Sequence, residues 1–174
     1  MAAGTVRGMD GTLERARPAD DAPERELLTG MLDHLRGSVV AKVAGLDDEQ
    51  ALRRSVPASA LTAAGLVKHL TGVERYWFSI DFAGLPLDPP WGDDAPGAFV
   101  PGPEESLASL VAGYEAECAR SAEVAAGAAL DDRARADDCA FTLRYALVHL
   151  IQETARHCGH LDLLRESIDG QTGE

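Results

Sequence analysis

Apolar residues recur at helical spacing in four long stretches, separated by segments rich in Gly, Pro or acidic residues. From Pro23 to about Gly45, Leu28, Met31, Leu32, Leu35, Val39 and Val43 trace one stripe, with Asp21 as the expected cap. Asp47 to Arg54 predicts a short helical turn before the break at Pro57. Ser59 offers an N-cap for a second long helix reaching about Phe82, on which Leu66, Leu70, Val73, Trp77 and Ile80 share a face. Residues 83–102 are dense in Pro and Gly and predict a long surface connection of the kind that forms lids, in which Trp91 reads either as the anchor or as a ring that simply packs. A third helix is expected from near Pro103 to about Gly127, carrying Leu107, Leu110, Val111, Tyr114, Cys118 and Ala125 on one side. The acidic connector LDDRARADD leads into a last helix over residues 141–168. No period-2 run, internal repeat or Gly-rich phosphate loop interrupts this pattern. The expected fold is therefore all-α: an up-down four-helix bundle with a long loop between its second and third helices. It would occupy residues 23–174 as one domain behind a flexible arm of residues 1–22.

The last helix carries three of the five histidines. At about 100° per residue, His149, Glu153, His157 and His160 fall within roughly 80° of one another, along the edge of a broad apolar stripe. A carboxylate and an imidazole at i and i+4 can aim two ligand atoms at one point, and bundles build metal sites from such pairs. His69 lies at roughly 300° on the second helix relative to Leu66, just outside its stripe, and Tyr76 lies on the same flank at about 280°. His69, Glu153 and His157 together would offer two imidazoles and one carboxylate, a set suited to zinc, nickel or another divalent first-row metal. Three protein ligands leave a coordination position open, which favours a catalytic over a structural ion. His160 and His149 read either as a fourth ligand or as outer groups that orient the substrate. Arg156 borders the strip, where it either grips an anionic substrate or pairs with Glu153 three residues back. His34 lacks ligand-type neighbours at helical spacing and reads as a surface or hydrogen-bonded histidine.

Charge narrows the partners. With 16 Lys+Arg against 29 Asp+Glu, a formal charge of -13 disfavours nucleic acid and anionic membranes. No apolar stretch reaches about 18 residues, and the N-terminus lacks the apolar middle region of a signal peptide, so a cytoplasmic location is expected. Cys118, Cys139 and Cys158 are odd in number and far apart, which fits reduced thiols, with Cys158 packing in the core. No nucleophile elbow of the G-x-S-x-G type occurs.

The segments GLVKHLTGVERYWF (65–78) and LRYALVHLIQETARHCGHLDLLRESIDGQTG (143–173) resemble the DinB/YfiT-like superfamily of metal-binding four-helix bundles, in particular its actinobacterial branch. Many such proteins ligate a metal through a helix-2 histidine and two histidines four apart on the last helix. Carried over, these fall on His69, Glu153 and His157, with Glu153 departing from the all-histidine pattern. That His, Glu, His set is similar to the zinc site of mycothiol-dependent maleylpyruvate isomerases, and the superfamily also contains thiol S-transferases. The resemblance implies a divalent-metal-dependent enzyme, zinc being favoured. It further implies a mycothiol-dependent S-transferase or isomerase acting on a small electrophile, with His160 or Tyr76 positioning or protonating the substrate and Arg156 and His149 contacting the cosubstrate. The alternative is a non-catalytic bundle that binds a small ligand or partner protein and uses its metal only for stability. Trp77, Phe78 and Phe82 extend past the stripe of the second helix, an aromatic excess for the Trp91 loop or a second subunit to cover, so a homodimer is expected.

Overall fold

A computed structural model describes residues 15–91 and 95–173 of the chain. Its helices are α1 (Glu24–Val43), the short α2 (Asp48–Leu52), α3 (Ala63–Glu74), α4 (Leu107–Ala126) and α5 (Leu143–Asp169). α3 continues as a π-helix over Arg75–Phe82, and a 3₁₀ turn, Ala95–Phe99, lies in the connection to α4. The described residues form no strand beyond a single bridge between Arg133 and Thr142, so the all-α bundle expected from the sequence is the fold. No helix among them is long and apolar enough to cross a membrane.

Helix starts move to residues whose side chains can accept from a free backbone N–H. α3 begins after Thr62, whose Oγ1 accepts from Gly65 N at 3.0 Å, rather than after Ser59, whose hydroxyl accepts from Leu61 N. α4 begins after Ser106, not at Pro103, and α5 after Thr142. Asp47 and Gln50 close a reciprocal capping box on α2. Asp21 does not cap α1: Pro23 holds that position without a side-chain bond, and Glu24 and Glu26 occupy the first turn. Of the expected N-terminal arm, residues 1–14 lie outside the described residues. Residues 15–22 run along α1, where His34 Nδ1 donates to the Arg15 carbonyl at 2.8 Å and Pro18 packs on Gly30.

Cross-bundle bonds fix the helix directions. Arg144 pairs with Glu24, Cys158 Sγ approaches the Leu35 carbonyl, and Arg165 donates to the carbonyls of Lys42 and Ala44, so α1 and α5 run parallel. Opposite to them, α3 starts near that upper end and finishes at Phe82, whose carbonyl accepts from Arg135 N in the connector before α5. α4 runs the same way as α3, from Leu107 N bonded to Asp48 down to Ala125, whose carbonyl takes Arg25. The order is thus up, down, down, up instead of strict alternation. The Pro- and Gly-rich connection between α3 and α4 is long enough to return the chain up a bundle roughly 30 Å tall, and on the way it crosses the outer face of α3.

The π segment changes which side chains face inward. An i→i+5 helix advances by roughly 80° per residue instead of 100°, which returns Phe78 and Phe82 to within roughly 50° of the Leu66 side. Both rings are buried, at 0% and 3% exposure. The aromatic excess behind the expected homodimer is therefore largely taken up by the chain's own core.

Two apolar clusters divide the interior. The upper joins Val39, Val43, Leu66, Leu70, Leu110, Tyr114, Leu161 and Leu164, and the lower joins Leu32, Val73, Phe78, Phe82, Leu143, Leu147 and Leu150. Between them each long helix contributes polar groups: Arg36 from α1, His69 and Glu74 from α3, Glu117 and Ser121 from α4, Glu153 and His157 from α5. The candidate chemistry sits in this layer.

Candidate metal centre

His69 on α3 faces Glu153 and His157 on α5. Glu153 Oε1 takes a hydrogen bond from His69 Nε2 at 3.3 Å and from His157 Nε2 at 3.1 Å. The three ligand-type atoms all lie within 4.8 Å of one another. Ligands about 2.0–2.1 Å from a tetrahedral zinc lie roughly 3.3 Å apart, so the spacing around Glu153 suits a first-row ion with little rearrangement. Nε2 is the His69 nitrogen that faces Glu153, as Nε2 is for His157, so both rings turn the same ligand atom toward one carboxylate oxygen. The donor set therefore fits a divalent metal.

The electrostatics favour the protonation states a metal requires. Burial lowers the pKa of both imidazoles, against the opposing pull of Glu153, and His69 lowers that of His157 further. Burial would raise Glu153, but hydrogen bonds from His69 and His157 and the charges of His157 and Arg156 outweigh it and hold the carboxyl below its ordinary value. Two neutral imidazoles and one carboxylate are thus present near neutral pH.

The outer face of the site is built by the α3–α4 connection. His69 stacks between Phe99 at 4.1 Å and Trp91 at 5.8 Å, centroid to centroid. Two glycines allow this approach: a Cβ on Gly65 would strike the Phe99 carbonyl, and one on Gly72 would strike the Trp91 ring. Gly65, His69, Gly72 and Tyr76 follow one another at i, i+4, i+7 and i+11, one face of the helix. Lys68 reaches Glu105 at 2.7 Å and pins the upper end of the connection. Side-chain exposure of the cluster is only 12% for His69, 14% for Glu153 and 7% for His157.

The remaining residues singled out from the sequence divide into neighbours and non-neighbours of the cluster. His160 Nδ1 lies 3.2 Å from His157 Nδ1, on the far side of that ring from Glu153. Arg156 donates to Glu153 Oε2 at 2.8 Å while remaining 62% exposed. Tyr76 meets the cluster only through Trp91, on which it stacks at 6.4 Å. His149 lies one turn below Glu153, stacked on Trp77 at 4.0 Å. Sequence reasoning missed Phe99, which arrives from an aperiodic segment, and the buried Arg36–Glu74 pair, whose bonds are 2.7 and 2.6 Å.

None of the chain's own thiols is a competent nucleophile near neutral pH. Burial raises the pKa of Cys118 well above its ordinary value and that of Cys158 to about 11; Cys139 also reaches about 11 through burial and the charge of Asp81. A cavity of about 230 Å³ near the top of the bundle, lined by Lys42, Asp162, Arg165 and residues 171–173, lies away from the histidines. Its charges are already paired, Lys42 with Asp162 and Arg165 with Asp169.

A sequence model of the family described as "MST: Mycothiol-S-transferase" matches residues 27–170, which takes in every long helix and all three members of the cluster. None of the curated proteins compared with the chain matches it.

Proposed function

The chain belongs to the mycothiol S-transferase family, and from that premise we propose a metal-dependent transferase that joins the thiol of mycothiol to a small electrophile at His69, Glu153 and His157. The observation that carries this reading is the convergence of the three donors, in the protonation states a metal needs, in a chain whose own cysteines are held as thiols. His69, Glu153 and His157 would hold the divalent metal, zinc being the favoured ion, and it would supply a Lewis acid that favours thiolate over thiol near neutral pH.

The chain's residues do the rest. His69 and His157 present Nε2, and Glu153 presents Oε1, while its other oxygen stays bonded to Arg156. His160 fixes the His157 ring through the Nδ1 contact, as outer partners of metal-bound imidazoles do. Phe99 and Trp91 keep water off the His69 face. Asp81's charge, helped by partial burial, raises the Tyr76 phenol above its ordinary value, so its hydroxyl keeps its proton near neutral pH and can donate a hydrogen bond. Tyr76 and His160 are the groups assigned to position or protonate the electrophile.

Elemental analysis should find about one divalent metal per chain in the wild type and little in Glu153→Ala or His157→Ala. Conjugation of mycothiol to monochlorobimane should be fast with metal and slow in a chelator-stripped control. Equal rates with and without metal would remove the metal from the mechanism, and unchanged metal in both variants would remove these ligands.

A further inference from the structure

Directly below the metal-ligand cluster lies an aromatic surface. Trp77 of the π segment, Phe141 ahead of α5, and Tyr145 and His149 on its first two turns form one group of rings. Trp77 stacks on His149 at 4.0 Å and meets Phe141 at 4.9 Å, and Tyr145 lies nearly parallel to His149 at 6.3 Å, 14° apart. Trp77 and Phe141 pack against the lower apolar cluster, but packing does not account for Tyr145, which is 55% exposed beside Val148 at 42%. The Trp77 indole N–H, the Tyr145 hydroxyl and both His149 nitrogens bond to no described residue, and none is sealed from solvent. Arg144, the cation next to Tyr145 in sequence, is taken by Glu24 and Asp131. Flat ring faces rimmed by an indole N–H, a hydroxyl and imidazole nitrogens, with the nearby cation already paired, suit a polyhydroxylated ring.

We propose that Trp77, His149 and Tyr145 bind the sugar and cyclitol rings of mycothiol, stacking on them while the thiol reaches the cluster one turn above. The proposal rests on the reading that mycothiol is the cosubstrate. Mycothiol is an N-acetylcysteine joined through an amide to glucosaminyl-inositol, so a few bonds separate its sulfur from the first ring. At 1.5 Å per residue His149 lies about 6 Å and Tyr145 about 12 Å below Glu153 along α5. A sulfur at the cluster thus sets the first ring beside His149 and the second beside Tyr145.

The test uses cobalt-loaded full-length protein and reads the sulfur-to-cobalt absorption band during titration with mycothiol and, separately, with N-acetylcysteine, which carries the same thiol arm without the rings. Wild type should bind mycothiol more tightly than N-acetylcysteine. Tyr145→Ala, at an exposed position that the fold does not need, should weaken mycothiol about three- to tenfold, the scale of one lost aromatic contact, and leave N-acetylcysteine unchanged. Trp77→Phe should do the same to a smaller degree. Equal wild-type affinities for the two thiols, or a parallel loss of both in Tyr145→Ala, would overturn the proposal. So would a sedimentation profile showing a dimer that Tyr145→Ala splits, because a second copy would then cover the rings. A wild type that gives no band with either thiol defeats the cosubstrate reading itself, an outcome distinct from loss of ring selectivity.

Discussion

The Arg36–Glu74 pair and the His69–Glu153–His157 cluster lie in the same polar layer, between the same two apolar clusters, yet they are completed differently. Arg36, 3% exposed, gives Nε and Nη2 to the two oxygens of Glu74, 1% exposed, and Nη1 to Asp33. Burial alone would lower the pKa of Arg36, but the charge of Glu74 and its bonds hold the guanidinium well above its ordinary value. Every guanidinium nitrogen and both Glu74 oxygens are engaged there, and nothing further is called for. In the second group one carboxylate oxygen is shared by two imidazoles, and three ligand-type atoms converge within 4.8 Å of one another. Burial of polar groups therefore does not distinguish a structural pair from a candidate site; what distinguishes them is whether the group is complete without a ligand.

The largest effect should come from breaking the complete pair. Arg36→Ala or Glu74→Ala strands a buried charge and should cost about 3–5 kcal/mol in urea unfolding, with the metal content of the folded fraction unchanged. Replacing both partners by apolar residues of similar volume should recover most of that loss. Breaking the incomplete group should have the opposite signature: Glu153→Ala should lower metal affinity on the order of 100-fold or more, whereas the stripped variant unfolds close to the stripped wild type. Chelator competition and denaturation on the same samples separate the two outcomes.

A smaller contrast concerns pH. The folded-state pKa values of His69 and His157 lie below the ordinary 6.5, so below that pH the unfolded chain takes up protons that the native chain refuses. Stability of the metal-free protein should be full above about 6.5 and fall as the pH drops through the window beneath it. Glu153, also lowered, adds a loss only below its ordinary 4.5. Thermal melts across pH should show the first loss in the wild type and not in a His69→Ala, His157→Ala double variant; an identical slope in both would assign it elsewhere. The smallest effect belongs to Arg156, whose exposed pairing with Glu153 is worth about 0.2–1 kcal/mol. Arg156→Ala should change metal affinity no more than about fivefold, as measured with a metallochromic competitor.

The candidate cluster was legible because helical spacing is rigid: once α3 and α5 are recognised as helices, His69, Glu153 and His157 can occupy only the stripe edges they do. The Arg36–Glu74 pair left a trace that was passed over, since Arg36 stands four residues after Leu32 and three before Val39, where the stripe calls for an apolar side chain. Gly65 and Gly72 also left one. Each costs about 1 kcal/mol inside a helix relative to Ala, and two of them flanking a candidate ligand signal that something must come close. What comes close, Trp91 and Phe99, was only half visible. Trp91 was marked as an anchor by its isolation among Pro and Gly, while Phe99 has no periodicity to set it apart from loop filler. The parallel run of α3 and α4 depends on how far the connection travels, and loop length permits that path without requiring it. The π winding has no local signature, since RYWFSIDF holds no Gly or Pro and reads equally as α-helix.

That winding carries a consequence for how the molecule can diverge. A π turn takes in one residue more than the α turn it replaces, as a helix does after an insertion that its neighbours have absorbed. Losing one residue at Arg75 or Tyr76 would let α winding resume, and by the angles above it would leave Trp77, Phe78 and Phe82 within roughly 60° of their present directions. The contact of Trp77 with His149 and the burial of Phe78 and Phe82 are thus within reach of either winding. The eight-residue segment acts as slack in the helix: relatives could lose or regain one residue there without turning the candidate centre away from the surface below it.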